Sequence, residues 1–165
     1  MINHDRAVEV FDYNPDIGDL IWKVRTSNRI KVGDVAGTIL ATGYIHVRVD
    51  SIFYLAHRLI WLMTHKAWPV AQIDHINGRR ADNKLNNLRS VDVQGNRRNA
   101  AKSKNNTSGI TGVCWGKRDR KWHAQVTVDY QNKSLGWFGS LLDAACARKS
   151  AEKKYGFHPN HGRSA

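Results

Sequence analysis

The segment IDHINGRRADNKLNNLRSV, residues 73–91, constrains this chain more than any other. It surrounds one Asp-His pair with asparagines, in the groups NG, DN and NNL. Asparagine is a poor helix and strand former but a good loop builder, because its amide bonds nearby backbone and it tolerates unusual dihedrals. The segment therefore reads as a loop held in one shape. The apolar VAQI before it reads as a short strand leading into Asp74 and His75, and LRSV after it as a second strand. Ser90 or Asp92 caps a helix expected to run to about Ala100.

This order of strand, Asp-His, loop, strand and helix puts a carboxylate and an imidazole at a strand end. On the helix, Asp92, Asn96 and Asn99 recur at spacings of four and three and share a face. Oxygen donors from Asp74 and Asn96 suit a hard cation such as Mg²⁺, which takes few protein ligands and leaves room for phosphate and water. Asn99 and Asp92 stand as alternatives to Asn96. A neutral His75, with an ordinary pKa near 6.5, is suited to take a proton from an attacking water. The chemistry implied is metal-assisted phosphodiester hydrolysis. Against it stands a plainer alternative, an asparagine-rich loop bonding itself, with His75 donating to a backbone carbonyl.

At these residues the chain resembles the His-Asn-His (HNH) endonucleases, and most of all their phage and bacterial homing-type branch, through DHINGRRADNKLNNLR. The resemblance implies a ββα-metal hairpin with Asp74 as metal ligand, His75 as general base, Asn87 as the residue that pins the loop and Asn96 as second ligand. It implies Mg²⁺, with Mn²⁺ an alternative, double-stranded DNA as substrate, and a phage-encoded protein acting in the bacterial cytoplasm, most simply as a monomer. GDLIWKVR, GDVAGT, GYIHVRVD and AHRLIWLMTHKAWP also resemble the segment that precedes the hairpin in these nucleases.

From the residues themselves, 19–54 read as β-rich: Ile45, Val47 and Val49 alternate with His46 and Arg48, the period of a half-buried strand. Residues 54–65 read as an amphipathic helix with Leu55, Leu59, Leu62 and Met63 on one stripe, ended by Trp68-Pro69. His57 on that helix is expected to pack behind the active site, and Arg58 to reach a phosphate. Arg79, Arg80 and Lys84 in the loop are candidates for phosphate contacts, against the alternative of a solvated loop.

Charge divides the chain. Residues 1–96 hold twelve Lys and Arg against ten Asp and Glu, whereas residues 97–165 hold fourteen against four. A polyanion is the natural partner of such a second half, through release of counterions from phosphates. The polar AKSKNNTSG marks a domain boundary: 1–100 as the nuclease domain, with its ββα-metal core at about 70–100, 101–108 as linker, 109–157 as a second domain, and 158–165 as a basic tail read as disordered. GITGVCW, WHAQVTV and KSLGWF read as three strands, and LLDAACARKSAEKKYG as a helix with small residues Ala144, Ala145 and Ala147 and a stop at Gly156. A three-stranded antiparallel sheet on one helix is a compact two-layer unit, and the whole is α+β.

Residues 108–156 resemble the plant ethylene-response-factor (Apetala-two) DNA-binding domain, also found fused to phage HNH nucleases, through Gly112-Val113, Trp122, Ala124, Leu135-Gly136 and Phe138. In that fold the sheet enters the major groove. The resemblance makes Trp115, Lys117, Arg118, Lys121, Trp122, Gln125, Thr127 and Trp137 candidates for the DNA-facing side. Arg118 and Gln125 have donors suited to guanine and adenine edges. Each tryptophan is equally a candidate for the core.

The two cysteines form no C-x-x-C pair and read as reduced core thiols, so neither a zinc knuckle nor a disulfide framework is expected. The N-terminus lacks the order of a secretory signal, and no apolar run is long enough to cross a bilayer. The function expected is a homing-type HNH endodeoxyribonuclease whose C-terminal module holds the duplex. The rivals are a DNA-binding regulator with an inactive hairpin and a structured-RNA binder.

Overall fold

A computed structural model describes residues 1–164, leaving out the side chain of Gln94; Ala165, the last residue of the expected basic tail, lies outside the described residues. Among the described residues the fold is mixed α and β, with several small antiparallel sheets and four α-helices. It forms two compact units, Met1–Asp92 and Val93–Ala165.

The first unit starts with α1 (His4–Val10), capped by Asn3, whose side chain accepts from the Arg6 N–H at 2.9 Å. This helix was not anticipated from the sequence. With seven residues it is too short to show a clear period, and its stability comes from the cap and from Ala7 and Val10 packed inward. The hairpin β1 (Phe11–Asn14) and β2 (Asp19–Trp22) follows, then a sheet of β3 (Thr38–Ile39), β4 (Ile45–Val49) and β5 (Ile52–Leu55) in spatial order β3-β4-β5. The alternation from 45 to 49 lies in β4, with Val47 and Val49 buried. Helix α2 (Ala56–His65) begins two residues later than its stripe suggests, because Tyr54 and Leu55 pair across to Val47 and His46. The core gathers Val10, Phe11, Leu20, Trp22, Leu59 and Ile60, with Ile73 and Leu88 carrying it to a last hairpin, β6 (Gln72–His75) and β7 (Leu88–Val91).

The second unit opens with α3 (Val93–Arg98). The two compact units divide ahead of this helix, between Asp92 and Val93. Its C-terminal end is bonded within the second unit, the Arg98 carbonyl accepting from the His158 N–H at 3.2 Å and the Ala100 carbonyl from Gly162 at 2.9 Å. These bonds, with Lys102 donating to the Arg163 carbonyl, also overturn the expectation of a disordered tail: residues 158–163 are docked. Strands β8 (Val113–Gly116), β9 (Lys121–Val128) and β10 (Gln131–Phe138) form an antiparallel sheet in the order β10-β9-β8, covered on one face by α4 (Leu141–Lys154). Ser140 caps α4 by accepting from the Leu142 N–H at 3.1 Å.

Ala144 and Ala151 bring α4 close to Val113, Ala124, Val126 and Val128. The helix also buries an ion pair, Arg148 Nε to Glu152 at 3.0 Å. Gly112 makes room for it: at φ +77°, a Cβ there would lie 2.5 Å from the Gln125 carbonyl oxygen and 3.0 Å from the Arg148 guanidinium. The cysteines, expected in the core, are exposed free thiols, because Cys114 and Cys146 point away from the layer between sheet and helix. Among the described residues no helix is long and apolar enough to cross a membrane.

Candidate functional site

Between β6 and β7 the loop is tied by its own asparagines. Asn87, buried at the end of a 3₁₀ turn (Leu85–Asn87), donates its amide to the Asp82 carbonyl at 2.7 Å and accepts from the Asn77 N–H at 2.9 Å; its carbonyl accepts from Ile76 at 2.8 Å. The Asn77 amide in turn donates to Asp82 Oδ2 at 2.7 Å, and its oxygen accepts from the Arg79 N–H at 2.8 Å. Tyr13 ties β1 to the same loop, its hydroxyl accepting from the Leu85 N–H and donating to the Asn83 carbonyl. Gly18 lets the β1–β2 turn approach, since a Cβ there would stand 2.6 Å from the Lys84 nitrogen.

Inside this frame His75 is 3% exposed. Its Nε2 lies 3.0 Å from Asn83 Oδ1. An amide oxygen only accepts, so Nε2 carries the proton and the ring's lone pair is on Nδ1. Burial lowers the pKa of His75, opposed by the Asn83 bond and by the Asp74 and Asp82 charges. The ring of His57 meets it edge-on at 5.0 Å, and Tyr44 flanks both, at 5.3 Å from His57 and 5.9 Å from His75. Burial, then the neighbouring His75 and Arg58, push His57 down to about 3; it is a neutral imidazole, and its Nδ1 has no partner among the described residues.

Asp74, 8% exposed, stands opposite Arg89 in the strand register, and Arg89 clamps one of its oxygens, Nε at 3.0 Å and Nη2 at 2.8 Å from Oδ2. Of the loop cations, Arg80 lies over the Tyr44 ring and donates to the Thr42 carbonyl at 2.8 Å, while the Arg79 side chain is exposed and Lys84 half-buried. Arg58 donates to the Pro69 carbonyl at 3.4 Å and lies over Trp68.

In the second unit the strand register sorts the candidate DNA-facing residues. Lys121, Gln125 and Thr127 alternate with the buried Ala124, Val126 and Val128, so they share the face away from α4. Trp137, opposite His123 and stacked on it at 4.5 Å, is on that face as well. Trp122 packs instead with Val113, Ala124 and Ala144 on the helix side, where its register partner Trp115 meets it edge-on at 5.0 Å. Lys117 and Arg118 lie in the β8–β9 turn, Arg118 beside Asp119 at 3.3 Å.

Residues 54–98, from the end of β5 through α3, match the HNH endonuclease family. Protein 3.8 of Escherichia phage T7 is 35% identical over 81 residues, which cover 47% of this chain and 67% of that protein. The chain belongs to the family of this phage protein and carries an HNH endonuclease domain. No solved structure matches it.

HNH nucleases generally use a divalent metal. Among the described residues no three His, Cys, Asp or Glu side chains gather into a metal site. The Asp74 carboxylate is a hard oxygen donor, of the kind that suits a cation such as Mg²⁺, which takes one or two protein ligands. Asn96 lies on α3, in the second unit. Of the alternatives, Asn99 is buried and bonded to Arg163, which donates to both its carbonyl and its side-chain oxygen; Asp92 is exposed.

Sequence reasoning left out three residues that the fold brings to the site. Asn83 and Tyr44 show no local sign of meeting His75. Arg89 had one, since a hairpin joining VAQI-Asp-His to LRSV sets it against Asp74 in one register.

Proposed function

We propose that the chain is a metal-dependent HNH endodeoxyribonuclease of the homing type, acting on double-stranded DNA through a ββα-metal hairpin. The observation that carries this reading is the buried His75, held by Asn83 with its lone pair on Nδ1 and next to Asp74 in a loop braced by Asn87. A ring kept neutral by burial is a base at neutral pH. His75 takes a proton from water as the water oxygen bonds to phosphorus and the bond to the 3′ oxygen breaks. Asp74, with Asn96 as the second ligand that the resemblance implies, would hold a divalent cation, which would supply charge neutralisation to the hydrolysis. Arg79, Arg80 and Lys84 hold the cleaved strand by its phosphates. The second unit holds the duplex as an Apetala-two-like module, with Lys121, Gln125, Thr127 and Trp137 on the open sheet face and Lys117 and Arg118 in its turn. Trp115 and Trp122 are better read as support for that face than as contacts, given their place on the helix side.

The test is incubation of supercoiled plasmid and of host or phage genomic DNA with Mg²⁺, Mn²⁺ or EDTA, beside His75→Ala. Metal-dependent nicked or linear products, lost in the variant, are expected. Full cleavage by His75→Ala would remove His75 as the base.

One observation favours a second reading, a DNA-binding regulator with an inactive hairpin. Arg89 already neutralises the carboxylate that a metal needs. Tight duplex binding without cleavage of any substrate under any metal would select it.

A further inference from the structure

The second unit holds a pocket of about 370 Å³, at the lower end of the roughly 300–1,000 Å³ of small-molecule sites. It opens beside the length of β9 that runs past its pairing with β8, which ends at Ala124. At its base is the Arg148 guanidinium, 3% exposed, which donates to Glu152 at 3.0 Å, to the Gln125 carbonyl at 2.7 Å and to His161 Nε2 at 3.1 Å. Arginine has no acceptor, so His161 receives at Nε2 and carries its proton on Nδ1. Burial lowers the His161 pKa, which keeps the ring neutral in this tautomer.

One polar group lining the pocket is left over: the buried hydroxyl of Thr111 has no hydrogen-bond partner among the described residues. His161, 8% exposed, stands beside it with its Nδ1 proton towards the Arg98 carbonyl. A buried donor without an acceptor is unfavourable, so the Thr111 hydroxyl is suited to an acceptor that enters from outside, with the His161 N–H able to share it. The charge of the walls agrees: Arg97 and Arg98 line the pocket, and Asp129 is its one acidic residue among those described.

The mouth carries an aromatic ring at a conformational cost. Asp129 and Tyr130 turn the chain from β9 into β10 with φ +52° and +62°. Asp tolerates this left-handed backbone, whereas a bulky tyrosine does not favour it. Tyr130 is nevertheless there, its ring under the Arg97 guanidinium at 5.3 Å. The two-residue turn between the paired Val128 and Gln131 demands that backbone at both positions, and a tyrosine kept there presents its ring in the open, 69% exposed.

We infer that this pocket binds a nucleotide unit, its phosphate taken by Arg97, Arg98, Thr111 and His161 and its base lying against Tyr130. The ligand chemistry has two sources, a free mononucleotide or a nucleotide of a DNA strand turned out of its stack. The lining does not include Asp74, His75 or Asn96, and the test is run in EDTA, so the inference stands or falls apart from the nuclease reading.

The four deoxynucleoside monophosphates and inorganic phosphate are titrated calorimetrically into the full chain. In parallel, a duplex carrying 2-aminopurine, which brightens on leaving the stack, is mixed with it. A mononucleotide is expected to bind about tenfold or more tightly than phosphate, the worth of one stacked base. Tyr130→Gly, which relieves the left-handed strain, is expected to remove that advantage and leave phosphate binding intact. Thr111→Val and Arg98→Gln are expected to weaken both ligands. Brightening of 2-aminopurine that Tyr130→Gly abolishes assigns the strand as source; mononucleotide binding without brightening assigns the free nucleotide. Silence in both arms, or binding that Tyr130→Gly and Arg98→Gln leave unchanged, overturns the inference.

Discussion

The Nε2 of His75 lies 3.0 Å from the side-chain oxygen of Asn83, and both residues are buried. This bond makes one nitrogen of the imidazole a donor and leaves the lone pair on the other. Asn83→Leu leaves the Nε2 proton without an acceptor and removes the preference for that tautomer. Single-turnover cleavage by this variant is expected to fall by about 10²-fold, the lower range for losing a positioned general base. Asn83→Asp keeps an acceptor but adds a charge that favours the imidazolium, so the acid limb of its pH profile moves to higher pH. Unchanged rate and profile in both variants would leave Asn83 no part in positioning.

Stability is expected to fall as the solution is acidified below pH 6.5. His57 binds a proton in the unfolded chain near its ordinary pKa of 6.5 and in the folded chain only at about 3. Below 6.5 the unfolded state takes up more protons, so folding weakens as pH drops, and the loss stops growing near pH 3. At pH 5 it amounts to about 2 kcal/mol from this group alone. The lowered pKa values of His75 and His161 act in the same direction. Urea denaturation at pH 7 and pH 5 measures the difference, and His57→Gln reduces it.

Asn87→Ala removes the two side-chain bonds that close the loop, to Asp82 and from Asn77. The buried groups left behind cost about 1–3 kcal/mol. Urea denaturation is expected to show that loss, with amide exchange quickening at Asn77.

Arg89→Met tests whether Asp74 serves a cation. Without the guanidinium a carboxylate that is 8% exposed loses its counterion, so the melting temperature in EDTA is expected to fall. Millimolar Mg²⁺ restores it if the carboxylate accepts the ion, and Ca²⁺ as a non-cleaving control is tested beside it. No response to any divalent cation would make the Asp74–Arg89 pair purely structural.

Gly112→Ala is expected to destabilise the second unit. The new methyl meets the Gln125 carbonyl and the Arg148 guanidinium, on a backbone at φ +77° that alanine disfavours. The cost is on the order of 1–3 kcal/mol from backbone strain alone. It is measured by denaturation followed through tryptophan fluorescence.

What was legible in the sequence was local. Ile45, Val47 and Val49 alternate as β4 requires, the stripe of Leu59 and Leu62 marks α2, and LLDAACARKSAEKKYG with its small alanines marks α4. The crowding of asparagines between two short apolar runs announces a loop that bonds itself. Less legible were elements whose stability comes from elsewhere. Helix α1 shows no period over seven residues, and the HPNHGR tail reads as loose until His161 is seen against Arg148 and Arg163 against Asn99.

By itself, then, the sequence determined the strands and helices whose side-chain period spans a few neighbours, the self-bonding loop around Asp74 and His75, and the uneven charge of its two halves. The tertiary structure decided which asparagine faces His75, that Arg89 clamps Asp74, that Trp122 packs inward while Trp137 faces out, and that Tyr130 stands over a pocket. The physical reason is range. Propensity and period act between residues a turn or a pleat apart, whereas each of those pairings joins residues from different elements. Their distance is set only when the whole core has closed.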